Sequence, residues 1–453
     1  MVDKELQRRF GKIVGPQGFL AFPQDLSLFC QDASRIFASP SAVLQPHTTS
    51  QISKIFRLAH ETQLPMTIRG AGTGLDGGAV ATRGGLLLSL TKMNRIKEIS
   101  PKDMVAILQP GVITAQINAQ LKPFGLFYPM DPAAQRQGTI GGDVATAAHG
   151  LRGTKYGTIA NYVLGLEAVV LPGETIRCGA KTLKCATGYH LTDLFVGSRG
   201  HIGVITEVTL KLLPRPSSQV SSMAVFQEVS QVQRVKAALN RRNIWPSRLE
   251  LMDGRAVMNG LQDLNLDLSP TQVLLMLELD GLETVVKEDV QESVQLFVSE
   301  GGKLACLAEA GQQTERWWRI RGALLSNLAA RADLAFLTTS IVPGSKTTQF
   351  FEQVSSISTG AWEFLAIYGH MGEGRWHTVF VANRSEAAQR AASQLRGAIS
   401  RMTTSLGGQF LRPHTIGFVP EAIPSLTEDS GQEKLWTALK TQFDPMGLLS
   451  ALE

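Results

Sequence analysis

Cysteine is scarce: the 453 residues hold four, Cys30, Cys178, Cys185 and Cys306, and none forms a Cys-x-x-Cys pair. That excludes the usual spacing of iron–sulfur and structural zinc sites, and it argues against a disulfide framework. Charge is sparse too. Lys and Arg number 44 against 39 Asp and Glu, a net +5, and no basic run stands out, so nucleic acid is not an expected partner. No apolar run is long enough to span a bilayer, so no transmembrane segment is expected. The charged start, Met1 to Phe10, lacks the apolar stretch of a signal peptide. The expected location is the cytoplasm, with peripheral membrane docking as its variant.

What is present is a normal globular balance, 43% hydrophobic and 18% charged, in a chain long enough for two domains. Up to about residue 40 the chain reads as an amphipathic lead-in. A helical pattern runs from Ser41 to Leu64, then a short strand over 65–69. A glycine-dense loop, Gly70-Ala-Gly-Thr-Gly-Leu-Asp-Gly-Gly78, follows. Strand-like runs come at 86–90 and 105–109, a helix near 113–124, and a second glycine-rich stretch from Gly138 to Gly157. A hairpin is predicted over 165–178 and a strand over 202–213, and Pro214-Arg-Pro-Ser-Ser218 marks a boundary. Beyond it helices and strands alternate, which suggests an α+β layer of ferredoxin-like type. The expected organisation is a lead-in (1–40), a cofactor domain (41–215), a substrate or cap domain (216–425) and a C-terminal segment (426–453) returning to the first.

The first loop contains Gly72-Thr-Gly-Leu-Asp-Gly77, a literal G-x-G-x-x-G. A dinucleotide site of the Rossmann kind needs a helix opening at the last glycine. Here the loop runs into another strand instead. What remains is a run of backbone N–H groups able to line a concavity for phosphate oxygens. Arg69 at the entrance can add positive charge.

These residues resemble the FAD-binding domain of the vanillyl-alcohol-oxidase, or p-cresol-methylhydroxylase, superfamily, and within it the D-lactate dehydrogenase and glycolate oxidase branch. The resemblance rests on Ile68–Gly78, Pro129-Met-Asp-Pro with Gly138–Gly142, Gly150–Gly157 and Gly203–Lys211, and more partially on Gly369–His377 and Phe443–Leu449. It implies a two-subdomain FAD-binding domain plus a ferredoxin-like cap. By it, Arg69, Gly70, Ala71, Gly72, Thr73, Gly74, Gly77 and Gly78 would wrap the pyrophosphate. Pro129, Asp131, Gly138, Thr139, Gly141, Gly142, Ala145 and His149 would line the rest of the cofactor, and Gly203, Val204 and Ile205 would meet the adenine side. The first loop has no histidine to tether flavin, so FAD is expected to be non-covalent.

The same resemblance implies oxidation of a small D-2-hydroxy acid such as D-lactate or glycolate, with hydride passing to flavin N5. The electrons would leave to a quinone, a cytochrome or an electron-transfer protein. Arg321, in Trp318-Arg-Ile-Arg321, would hold the substrate carboxylate, and His414 would take the hydroxyl proton. His370 and His377 stand at the metal-ligand positions of the family. Pro413 replaces the third ligand, and Arg375 replaces an asparagine, so a divalent metal is not expected. Arg375 would supply positive charge in its place. Leu337 and Val379 fall where relatives acting on dicarboxylates carry polar residues, which favours a small or apolar substrate. The alternatives are an oxidase or dehydrogenase of another alcohol or sugar acid, or a flavin-holding subunit of a larger dehydrogenase.

Overall fold

The computed structural model describes residues 3–132, 136–184, 188–357, 359–416 and 430–450, without the side chains of 389, 412–416, 430 and 450. Two units emerge. One gathers the described residues of Met1–Gly150, Thr158–Arg215 and Ile423–Glu453, the other those of Leu151–Gly157 and Pro216–Ala422.

The first unit is built on two five-stranded sheets. In one, Ala42–Leu44, Leu86–Ser89, Met66–Arg69 and Leu449–Ser450 run parallel, in that order. The helix Thr49–Thr62 covers this sheet with Ile52, Ile55, Phe56 and Ala59. Thr48 starts it by accepting from the Gln51 amide at 3.2 Å, and Gln63 at φ 52° stops it. The helical pattern therefore begins eight residues later than Ser41 suggests, because Ala42-Val-Leu44 is a short buried strand. The other sheet is antiparallel and includes the hairpin Val163–Val170 with Glu174–Gly179.

The second unit is one antiparallel sheet of eight strands. Their order is Lys303–Glu309, Ser218–Phe226, Val273–Gly281, Arg248–Asp253, Glu363–His370, Arg375–Ala382, Leu334–Ile341 and Gln409–Ile416. One face packs on the helices Val229–Arg241, Glu283–Ser299, Thr347–Ser355 and Glu386–Ser405 through Leu249, Leu251, Leu275, Leu277, Trp376 and Phe380. Strand side chains alternate in direction, so Glu250, Glu278, Tyr368, His370, Arg375, His377 and Thr339 belong to the opposite face. Among the described residues no helix is long and apolar enough to cross a membrane.

Candidate functional site

In the first unit, the strand Met66–Arg69 runs into the glycine loop, which leads to the strand Leu86–Ser89 without an intervening helix. Arg69 folds back under the loop. Its Nη1 donates to the Ala79 carbonyl at 3.0 Å and its Nη2 to that of Gln31 at 2.9 Å. A Cβ on Gly72, where φ is 71°, would lie 2.3 Å from Nη2, so only glycine lets the guanidinium sit there. Burial draws the pKa of Arg69 below its ordinary value, against the opposing pull of Asp32 and Cys30. Arg69 is thus a brace that closes the loop on itself. An added Cβ at Gly74 or Gly78 would meet no atom within 4 Å: the front of the loop is open.

The second glycine stretch meets the first at Thr139. Its Oγ1 lies 2.5 Å from the place a Gly70 Cβ would take, and 3.2 Å from that of Gly142. Thr139 precedes the short helix Ile140–Ala145. Gly141 packs on Pro110, where a Cβ would be 2.4 Å from the proline Cβ. The carbonyl of Ala145 accepts from the Arg199 amide at 2.7 Å, and Arg199 Nη1 reaches back to Asp76 of the first loop at 3.3 Å. Pro129 and Asp131 are buried, and Pro132 bridges to Gly150. His149 is exposed. Gly203, at φ 155°, lies where a Cβ would be 2.7 Å from the Val169 carbonyl; it opens the strand Val204–Lys211.

Thr139 Oγ1 and Ser198 Oγ are buried with no hydrogen-bond partner among the described residues. Buried hydroxyls need partners. Two open-fronted glycines and two waiting hydroxyls fit a dinucleotide diphosphate, whose oxygens accept from amides and hydroxyls alike.

In the second unit, the polar face centres on Glu250, which is fully buried. Arg321, on the helix Gln312–Gly322, donates to Glu250 Oε2 from Nε at 3.0 Å and from Nη2 at 2.5 Å. Its guanidinium carbon also stacks 4.7 Å from the Tyr368 ring centroid. Burial would push the Glu250 carboxyl up, but His370 and Arg321 together hold it below its ordinary value. Burial pushes Tyr368 up to about 12. His370 Nδ1 lies 2.5 Å from Glu250 Oε1. The His370 and His377 rings stand nearly perpendicular, at 87°, with centroids 5.9 Å apart. His377 Nδ1 lies 3.0 Å from Thr339 Oγ1.

Arg375 sits opposite His370 in the strand register. Burial draws its pKa below the ordinary value, against Glu373, which raises it. The structure thus brings Arg321, His370, His377 and Arg375 onto one sheet face. The backbone of His414 pairs with Leu337, and its side chain, like that of Pro413, lies outside the described residues. His370 and His377 offer two imidazoles, but no group of three His, Cys, Asp or Glu side chains able to hold a metal exists among the described residues. Two imidazoles alone do not fit a stable divalent-metal site. Sequence reasoning missed Glu250, Thr339 and Tyr368. An acid inside the otherwise apolar Leu249-Glu-Leu-Met252 was the available signal for the first.

Residues 40–179 match the family described as FAD binding domain, and residues 215–452 match that described as FAD linked oxidases, C-terminal domain. The chain belongs to this family and is an FAD-linked oxidoreductase. Among its relatives is the glycolate oxidase subunit GlcD of Bacillus subtilis, 31% identical over 99% of this chain and 96% of that protein. A D-lactate dehydrogenase of Anaerostipes hadrus is 30% identical over 99% of this chain and 97% of that one. Among solved structures, p-cresol methylhydroxylase superposes with a TM-score of 0.76 at 16% identity, covering 98% of this chain and 95% of that one. That last likeness is one of fold.

Proposed function

We infer that the protein oxidises a small D-2-hydroxy acid, of the size of lactate or glycolate, with non-covalent FAD as the immediate oxidant. The relatives named glycolate oxidase and D-lactate dehydrogenase support this reading. The observation that carries it is the polar sheet face of the second unit, where two arginines and two imidazoles share one surface.

The first unit's glycine loops and the Thr139 and Ser198 hydroxyls would hold the cofactor. When bound, FAD supplies a two-electron acceptor at N5. The chain's own residues do the rest. Arg321 presents Nη1 to the substrate carboxylate, because Nε and Nη2 are engaged by Glu250. That pair is electrically neutral as a whole, so Arg375 provides the attraction for an anion. His414 takes the hydroxyl proton. Leu337 and Val379, both buried and paired across strands, offer nothing to a second carboxylate. The electrons then leave to a quinone, a cytochrome or an electron-transfer protein.

Anaerobic mixing with D-lactate, D-glycerate and glycolate tests this. Loss of the yellow absorbance with one of them is expected; a fully flavin-loaded protein bleached by none would sink the reading. His414→Asn should slow that bleaching and leave FAD binding unchanged.

A further inference from the structure

We propose that Glu250 is a positioning residue that fixes the tautomer of His370, placing the ring hydrogen on Nδ1 and leaving Nε2 as a lone-pair acceptor. The proposal goes beyond the oxidation reading and needs that reading only for its kinetic arm.

The argument is one of donors and acceptors. Glu250 sits in the middle of the strand Arg248–Asp253 with no exposed surface, and its neighbours Leu249 and Leu251 turn into the helix-covered core. Oε2 accepts two hydrogen bonds from Arg321, at 3.0 and 2.5 Å. Oε1 is left for His370 Nδ1, at 2.5 Å. A guanidinium can only donate and never loses its proton in proteins, so Arg321 keeps the carboxylate ionised. An ionised carboxylate can only accept. Nδ1 must therefore donate, and in the neutral ring the lone pair falls on Nε2.

His377 Nδ1 faces the Thr339 hydroxyl at 3.0 Å, and a hydroxyl serves as donor or acceptor alike. Of two imidazoles at right angles, the one beside Glu250 is thus locked. The locked one offers a fixed acceptor on a face that also holds Arg375, beside which it lies in register. A donor group reaching this face would find in His370 Nε2 an acceptor that needs no reorganisation, while the substrate's hydroxyl hydrogen goes to His414. The same carboxylate also turns the free edge of Arg321 in one direction. One buried acid therefore orients both groups.

Glu250→Gln reads this directly. Its amide has one accepting and one donating end. Arg321 can use only the accepting end, so the NH2 group turns to His370 and Nδ1 becomes the acceptor. The ring hydrogen moves to Nε2 with little change of shape. Protein labelled with 15N-histidine, its His370 signals assigned with His370→Gln, would be recorded at pH 9 by two-bond nitrogen–proton correlation. The expected result is Nδ1–H in the unaltered protein and Nε2–H in E250Q. A hydrogen on Nε2, or on both nitrogens, in the unaltered protein overturns the proposal even if the variant fails to fold.

The kinetic arm follows flavin reduction by whichever 2-hydroxy acid bleaches the protein. E250Q should slow it about a hundredfold at saturating acid, with FAD affinity unchanged and Glu250→Asp giving little rescue. A reversed tautomer with an unchanged reduction rate would overturn the functional role. Failure of every acid to bleach the unaltered protein would strike the oxidation reading, while the NMR result would still decide the tautomer.

Discussion

Replacing Asp143 by Asn should remove a loss of stability that the protein suffers as pH rises. Asp143 lies in the first turn of Ile140–Ala145 with 7% of its surface exposed. Burial raises its carboxyl from the ordinary 3.8 to about 7, and the hydrogen bond from Thr114, at 2.5 Å, only partly opposes this. The folded state thus holds a proton that the unfolded chain releases. Between those two values the native protein binds more protons, so stability falls as pH rises. Below 3.8 both states are protonated and the full stability is present; above about 7 the loss is complete. About 3 pH units at ~1.4 kcal/mol each give roughly 4 kcal/mol in all. Asparagine keeps the shape and can still accept from Thr114, but it does not titrate. Relative to the unaltered protein, D143N should gain roughly 3 kcal/mol between pH 5 and pH 8. Urea unfolding followed by flavin fluorescence, at one saturating FAD concentration and several pH values, reads the first unit. Differencing the two proteins removes titrations common to both. A stability difference that stays flat across pH 5 to 8, or shrinks, would refute the reasoning.

Three more perturbations have clear signs. Arg375→Met removes the attraction for an anion from the polar face and should raise KM for the hydroxy acid roughly tenfold to a hundredfold; initial rates check this, and an unchanged KM would remove Arg375 from substrate binding. Gly72→Ala places a Cβ 2.3 Å from Arg69 Nη2 at a φ of 71°, which should dislodge the brace and weaken FAD binding about tenfold or more by apoprotein titration. Asp444→Ala deletes the acceptor of Lys440 and of the Leu448 and Leu449 amides, at 2.5, 2.7 and 2.8 Å. Its melting temperature should fall by several degrees, for a loss of roughly 2–4 kcal/mol.

The glycine loop was legible because backbone geometry demands glycine whatever the neighbours: Gly72 needs positive φ and Gly70 needs room for Thr139. The absence of a helix after the loop was legible for the same reason, since the strand run at 86–90 follows so soon. Ala42-Val-Leu44 was not, because three apolar residues carry too short a period to separate strand from helix. In the second half the motif residues were found, but their partners were not. Glu250 and His370 stand 120 positions apart, and no local pattern couples them. Arg321 stood out in the sequence as the cation of Trp318-Arg-Ile-Arg321; its engagement by Glu250 was visible only once the strands were set side by side. The brace formed by Arg69 was hidden likewise, since its acceptor Gln31 lies 38 residues away.

The heptapeptide Leu151–Gly157 belongs to the second unit although both its flanks belong to the first. Within that unit Lys155 and Tyr156 bond the buried Asp280, at 2.7 and 2.9 Å, and Arg152 stands 3.5 Å from Glu278. Severing the gene at the Arg215–Pro216 boundary would therefore strand Leu151–Gly157 on the upstream fragment and leave Ile423–Glu453, whose described residues belong to the first unit, on the downstream one. The downstream piece, expressed alone, would have to fold with Asp280 stripped of its cation. Anyone wishing to transplant this second unit onto another flavoprotein must carry a second, discontinuous stretch of sequence along with it.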